Sequence, residues 1–567
     1  MPRICRIPKP LIQALRSFVC LRMVVALLSI MALPPTILLA QAATPGEQRA
    51  VHAFDIAKSD KASALALEAF LARMPKGGDL HMHLSGAVYA ETFLKEAAAA
   101  NLCVNPNSLT LVKNIGLINA GPICAPDEVT AASVLQNQKL YDALVDAFSM
   151  RSFVATQGVS GHDQFFATFD RFDAVDNTYA GEWLDEVATR AAAQNEQYLE
   201  VMLTPTFAHA AQLGYKIGWP EDSTTSITSA TLAGLRDKLL AAGLRDEVAV
   251  DSKEFADAKA TWMILHCSES FGTLGSDNTP TVNSATTPND RQSSAPTGCN
   301  VKIHWLYQIL RGFPPQQVFA QTLLGFEVAS ADPDVVGINF VMPEDGRVSM
   351  QDYHLQMQML DYLHSVYPKV HISLHAGELA PGLVPPEGLT FHIREAIDVG
   401  HAERIGHGVD VMYEKDPRAL LKEMADKHVM VEINLTSNDV ILGIVPPHHP
   451  LPEYRAAHVP VALSTDDEGV SRIDLTHEYV RAAMEYGLGY LDLKAMARTS
   501  LEHSFLTGDS LWQKPDDFTR VKAACSGQAL GAASPTAKCQ ALLHSSERAA
   551  QQWELEHRFA AFEASLP

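Results

Sequence analysis

The sequence predicts an α/β chain centred on a (β/α)8 TIM barrel, with an N-terminal helical extension, a surface insertion and C-terminal helices. Two observations predict it. Short apolar, β-branched runs alternate with helix-period segments through the second half of the chain, and repeated βα units imply a parallel sheet with right-handed crossovers. Residue types suited to metal binding and proton transfer also collect at the C-terminal ends of five runs. These ends are His81-Met82-His83, Ser373-Leu374-His375-Ala376-Gly377-Glu378, Arg404-Ile405-Gly406-His407-Gly408, Asn434-Leu435-Thr436-Ser437-Asn438 and Ser464-Thr465-Asp466-Asp467. Chemistry gathered at the C-terminal ends of many strands is the layout of this barrel.

Taken in order, residues 1–42 read as an export signal. Arg3, Arg6, Lys9, Arg16 and Arg22 precede an apolar run from Met23 to Ala40, and Ala40-Gln41-Ala42 is a small-x-small cleavage site. An uncleaved membrane anchor is the alternative, because the run is near the lower length for spanning a bilayer. Residues 43–75 form the helical extension, with apolar Phe54, Ala57, Leu65, Leu67, Phe70 and Leu71 spaced along Glu47–Met74 to share one face. Pro75-Lys76-Gly77-Gly78 stops it, and a strand starts at Asp79.

The barrel is assigned to residues 76–510. Residues 92–160 read as mostly helical around a loop between Cys103 and Cys124. Phe165–Phe172 is an aromatic helical patch suited to the core, and a helix over Trp183–Asn195 precedes the strand Gln197–Leu203. Residues 268–298, rich in Ser, Thr, Asn, Gly and Pro, are a surface insertion with little to bury. Further strands are expected at Val335–Val341, Lys369–Leu374, Arg404–Gly408, Val429–Leu435 and Val459–Ser464. Helices are expected between them near 351–366, 389–399 and 415–427, with later ones near 474–487, 492–506 and 543–564. Residues 511–567 form a helical tail outside the barrel.

The chain carries a formal charge of −22. The signal holds five bases and no acid, so the remainder of the chain is more acidic still. That balance excludes nucleic acid and anionic membrane surfaces as partners, and no stable membrane insertion is expected once the signal is removed. Cys103, Cys124, Cys267, Cys299, Cys525 and Cys539 fall into three sequence-local pairs around polar loops, which suggests up to three disulfides in an oxidising compartment. Six cysteines allow fifteen connectivities. The expected location is therefore periplasmic or secreted.

His81 and His83 lie two apart on a strand, so both imidazoles point to the same side. A third nitrogen from His375 and an oxygen from Asp466 complete an N/O set that suits zinc with one open position. Zinc brings the pKa of a bound water toward neutrality. His407 then serves as the imidazole that receives and holds the water proton, and Glu378 as the carboxyl, kept protonated in a partly dry pocket, that protonates a ring nitrogen. This division of labour is the one needed to deaminate an aromatic amine hydrolytically.

These motifs resemble the adenosine deaminases of the metal-dependent amidohydrolase superfamily. The resemblance runs from about Met74 to Leu506 and includes Met74-Pro75-Lys76-Gly77, Leu80–Leu84, Leu374–Glu378, Arg404–Gly408, Ser437-Asn438, Leu442-Gly443, His449-Pro450 and Ser464–Asp467. The Met-Pro-Lys-Gly entry and Ser500–Leu506 look most like the secreted adenosine deaminase growth factor type branch. The resemblance implies one zinc per chain on His81, His83, His375 and Asp466, and proton donation to purine N1 by Glu378. It also implies a water-handling role for His407, and Asp467 facing purine N7 and the attacking oxygen. The implied reaction is conversion of adenosine or 2′-deoxyadenosine to inosine and ammonia, and the implied partner is a small purine nucleoside; a homodimer is expected by analogy with the branch. The alternatives are a deaminase of adenine, an N6-substituted purine or a nucleotide, and an inactive nucleoside-binding or signalling protein.

Three positions depart from the family pattern. Ser85 stands where an Asp contacts the ribose 5′ hydroxyl. Met342 stands where a glycine offers its backbone N–H to purine N3. Glu468 follows the Asp pair where proline is common.

Overall fold

Eight parallel strands in sequence order form the central sheet: β1 (Gly77–His83), β2 (Glu196–Leu203), β3 (Lys302–Leu310), β4 (Val335–Val341), β5 (His371–Ala376), β6 (Arg404–His407), β7 (Met430–Ile433) and β8 (Val461–Leu463). The structure is a computed structural model and describes residues 43–60, 65–118, 121–220, 227–267 and 298–567. The proposed signal over 1–42 and nearly all of the insertion at 268–298 lie outside the described residues.

Neighbouring strands pair in parallel throughout, and β8 returns to β1 through a parallel bridge between Met82 and Asp466. At this closure Asp466 donates its N–H to the carbonyl of His81 (2.8 Å), and His83 donates to the carbonyl of Asp466 (3.1 Å). The strands are buried on both faces, β1 and β2 at every residue. Helices cover the outside, so side chains on both faces of each strand are shielded from water. The fold class read from the sequence is therefore borne out.

The barrel interior holds charge. Arg404 on β6 pairs with Glu200 on β2 (2.6 Å) and Glu432 on β7 (2.7 Å), and its guanidinium lies 3.9 Å from the centre of the Phe505 ring. All three charged side chains are essentially inaccessible to water. The Met-Pro-Lys-Gly entry serves the same closed architecture. The Lys76 ammonium, buried beneath β1, donates to the carbonyls of Leu71 (2.6 Å), Met74 (3.1 Å) and Gln194 (2.6 Å). It thereby ties the end of helix Leu65–Arg73 to the end of helix Ala180–Ala193.

Several expectations are corrected. The sequence pattern does not predict the strand at Lys302–Leu310. The 92–160 region is less helical than its composition suggests. Cys103–Asn105, Thr110–Val112 and Val129–Thr130 pair as one small sheet, and Gly116–Ile118 with Gly121–Ile123 as another. The run Asn434–Asn438 is not a strand end: β7 stops at Ile433, and Leu435–Leu442 is a helix. The three expected cysteine pairs are bonded, Cys103–Cys124, Cys267–Cys299 and Cys525–Cys539. They point to an oxidising compartment. Among the described residues no helix is long and apolar enough to cross a membrane.

Replacing Arg404 by Met leaves two buried carboxylates without their cation. We expect a loss of about 3–5 kcal/mol of stability, read from urea denaturation; a stability equal to that of the parent chain would show that the pair contributes no net stabilisation.

Candidate metal centre and catalytic site

The C-terminal ends of β1, β5 and β8 bring His81, His83, His375 and Asp466 together. Their ligand atoms lie within 4.8 Å of one another, and all four residues are buried. Asp466 Oδ1 is 3.4 Å from His81 Nε2 and 3.2 Å from His83 Nε2, and the Nε2 atoms of His83 and His375 are 3.1 Å apart.

Each imidazole is aimed by an acceptor at its other nitrogen. His81 Nδ1 meets Glu432 Oε2 at 2.6 Å, His83 Nδ1 meets Gln308 Oε1 at 2.6 Å, and His375 Nδ1 meets Asn339 Oδ1 at 2.8 Å. The amides are oriented in turn, because Gln308 donates to Thr204 Oγ1 and Asn339 donates to the Ser373 carbonyl. Three Nε2 atoms thus converge on one point. Ser437 Oγ donates to Asp466 Oδ2 (2.5 Å), leaving Oδ1 toward that point. His81 Nε2 is buried with no hydrogen-bond partner, an expensive arrangement that a cation would resolve. The donor set fits zinc, which takes imidazole nitrogen and carboxylate oxygen and whose ligating histidines are held by such acceptors.

The residues around the cluster also set its charge. Burial opposes a negative Glu432, yet the Arg404 charge and the His81 ring hold its carboxyl below the ordinary range. Burial, then the neighbouring His81 and His83, push His375 far down.

Glu378 and His407 flank the cluster. His407 Nδ1 is 2.9 Å from Asn438 Oδ1, which turns Nε2 toward Asp466 Oδ2 at 3.8 Å; Asn438 also meets His449 Nε2 at 2.9 Å. Burial lowers His407 to about 4, so the ring is neutral. Glu378 lies with Oε1 3.7 Å from His407 Nδ1, and burial, with Asp466 and Glu344 beside it, raises its carboxyl far above the ordinary range. Burial and Asp466 raise Asp467 to about 8, and its Oδ1 is buried without a partner. Gly86 makes room for it, since a Cβ there would sit 1.5 Å from that oxygen.

These groups open into a cavity of 1610 Å³ whose lining includes His83, Ser85, Met342, Glu378, Asp466 and Asp467. Phe165, Phe166 and Phe169, on helix Gly161–Phe172, line it as well, so the aromatic patch expected only in the core also walls the site. Met342, His407 and Asp466 all have left-handed backbone, φ +92°, +69° and +60°. Such conformations in non-glycine residues cost energy and gather at functional sites. The Met342 sulfur accepts the Gly312 N–H at 3.2 Å, so its side chain is tethered to the loop after β3.

Gly377 is required by the turn that follows β5. Its φ is +76°, and a Cβ would collide with Asp410 Oδ1 (2.6 Å) and Ile393 (2.7 Å), so the missing side chain serves the turn and its packing. Sequence reasoning missed Glu432, Gln308 and Glu344. The signal available for Glu432 was a carboxylate inside an apolar strand, Met430-Val431-Glu432-Ile433, which demands a buried partner.

Comparison with known proteins agrees with this arrangement. The adenosine deaminase family model matches residues 279–513. An adenine deaminase from Rhizobium leguminosarum bv. trifolii (strain WSM2304) is 30% identical over 199 residues, 35% of this chain and 55% of that protein. An adenosine deaminase from Escherichia coli (strain SE11) is 35% identical over 140 residues, 24% of this chain and 39% of its own length. The matched stretches thus span about half of the first relative and less of the second. An amidohydrolase from Burkhoderia ambifaria, solved with bound zinc, shares the fold at a TM-score of 0.50 and 15% identity, over 90% of this chain and 97% of that one.

Fold and site together define a (β/α)8 barrel with a cluster of three imidazoles and a carboxylate, able to hold a metal ion, at its C-terminal mouth. Over residues 279–513 the chain matches the adenosine deaminase family model. His81 and His83 lie outside that stretch, and the closure of β1 on the end of β8 is what joins them to it.

Glu432→Gln should weaken zinc binding about 10- to 100-fold by removing the charged acceptor of His81, as read by competition with a chromogenic chelator. An unchanged affinity would remove Glu432 from the supports of the centre.

Proposed function

We propose that the chain is a zinc-dependent purine deaminase acting on adenosine or 2′-deoxyadenosine. The observation that carries the reading is the convergence of three Nε2 atoms and Asp466 Oδ1 beside the buried carboxyl of Glu378, which burial and the neighbouring Asp466 push upward. Zinc, when bound by His81, His83, His375 and Asp466, supplies the Lewis acidity that makes water acidic near neutral pH. The bound zinc of the related Burkhoderia ambifaria fold and the donor set here support that choice of metal.

The chain's own residues do the rest. His407, neutral because it is buried, holds the attacking water and takes its proton at Nε2. Glu378 donates its proton to the purine N1, which draws electron density from the carbon under attack. Asp467 faces purine N7 and the attacking oxygen. The phenyl walls from Phe165, Phe166 and Phe169 exclude water and receive the flat base. His407 passes the water proton on to the amine, which leaves as ammonia, and the remaining hydroxyl proton restores Glu378 as the ring carbonyl forms.

Two features bear on the substrate. At 1610 Å³ the cavity exceeds the roughly 300–1,000 Å³ of an ordinary small-ligand site, which favours a nucleoside over the free base. Its rim carries Asp170, Asp173, Asp176, Glu254 and Asp257, while Lys253, the single Lys or Arg among its lining residues, pairs with Asp257. That rim repels phosphate and favours an uncharged nucleoside over a nucleotide. Ser85 in the cavity, together with the adenine deaminase relative, supports adenine as the second reading. The signal-like start, the Met-Pro-Lys-Gly entry and three disulfides support an exported protein of the secreted branch.

Loss of absorbance near 265 nm should accompany the mixing of purified protein with adenosine. AMP should turn over at least about 100-fold less efficiently; equal turnover of the two would contradict the nucleoside reading, and turnover of adenine alone would select the second. Glu378→Gln should keep zinc and lose about 10²- to 10⁴-fold in kcat. The acid works only while protonated, so wild-type activity should persist through neutral pH and fall as pH climbs through the raised Glu378 pKa. Full activity of Glu378→Gln would end its role as the acid.

A further inference from the structure

The turn that carries Glu378 is gripped by a carboxylate that neither takes nor gives a proton in the chemistry above. Glu344 lies just beyond β4, is 1% exposed, and accepts the Gly377 N–H on Oε1 (3.0 Å) and the Glu378 N–H on Oε2 (2.7 Å). Glu344 is itself held. His392 Nδ1 lies 2.5 Å from its Oε1, and that ring is stacked on Tyr353 with centres 3.9 Å apart.

The turn is pinned from its other side too. The Gly377 carbonyl accepts the N–H groups of Val409 (2.7 Å) and Asp410 (3.2 Å), and Ile393 and Asp410 fill the space a side chain would need. Two consecutive N–H groups on the two oxygens of one carboxylate fix a direction as well as a position. A Gln at this place has one oxygen and one NH2, so one backbone N–H would face a donor. Glu344 is absent from the buried cluster of candidate metal ligands.

We propose that Glu344 is a positioning residue for proton donation: by accepting both amides of the Gly377-Glu378 turn, its carboxylate aims the Glu378 carboxyl at the ring nitrogen of the substrate. This rests on the reading of Glu378 as the acid. Proton transfer needs hydrogen-bond distance and alignment, and a displacement of about 1 Å can cost about a hundredfold in rate.

The test compares Glu344→Gln and Glu344→Asp with the parent chain in zinc content, KM and kcat for adenosine. Glu344→Gln should hold full zinc, keep KM within about twofold and lose about a hundredfold in kcat. Glu344→Asp keeps the charge with a shorter reach, and should lose about tenfold in kcat with the same zinc and KM. The Asp variant carries the test alone if the Gln variant does not fold. Unchanged kcat in the folded variants overturns the proposal. So does a fall in kcat that tracks loss of zinc, because Glu344 would then support the whole centre and not the acid. If the parent chain leaves adenosine untouched, the functional reading fails separately, and a crystal structure of a variant still decides this point. A displaced Glu378 carboxyl supports the proposal, and an unmoved one overturns it.

Discussion

The closure of β1 against the end of β8 is the constraint on which the rest of the molecule depends. The exchange of backbone hydrogen bonds among His81, Asp466 and His83 is one peptide wide, yet it joins residues nearly four hundred positions apart. Because His81 and His83 alternate with Met82 on a strand, fixing the register at Met82 delivers both imidazoles to the face that Asp466 occupies. A slip of one residue would turn both rings away from the barrel mouth. Chain closure and assembly of the His81, His83, His375 and Asp466 cluster are therefore the same event.

That event concentrates charge where water is absent, and the barrel answers with a graded set of partners. Glu200, Arg404 and Glu432 form an ionic line through the interior that ends on His81 Nδ1. Gln308 and Asn339 do for His83 and His375 with neutral amides what Glu432 does with a carboxylate. The asymmetry is physically sensible: one charged acceptor and two neutral ones leave the cluster short of positive charge without stacking three carboxylates around it. On the opposite side Glu344, His392 and the Asp410 amide hold the turn of Glu378. The proposed ligands and acid thus sit at or just beyond strand ends whose directions are set by buried hydrogen bonds, while the cavity wall comes from helix Gly161–Phe172 in the long excursion between β1 and β2.

Much of this was legible in the sequence for definite reasons. Seven barrel strands are legible in the sequence, most of them as apolar runs between helix-period segments, and the fold class comes from that alternation. Strand Lys302–Leu310 does not, because Lys302, His304, Tyr307 and Gln308 interrupt its apolar pattern. Two of those polar groups have buried partners, Tyr307 with Asp251 and Gln308 with His83, contacts that no local window contains. The proposed ligands themselves are visible through their residue types at strand ends. Their acceptors are not, since Glu432 reaches His81 across 351 positions and only the folded sheet pairs them. Asn438 was found as part of a motif but placed on a strand end; it stands on a helix and still reaches His407, because the helix begins directly at the barrel mouth.

The most direct test of the account is X-ray absorption at the zinc edge on the purified protein. The account predicts one zinc per chain in a shell of nitrogen and oxygen only, with the outer-shell scattering of three imidazoles. A sulfur shell, fewer imidazoles, or protein that takes up no zinc would contradict it.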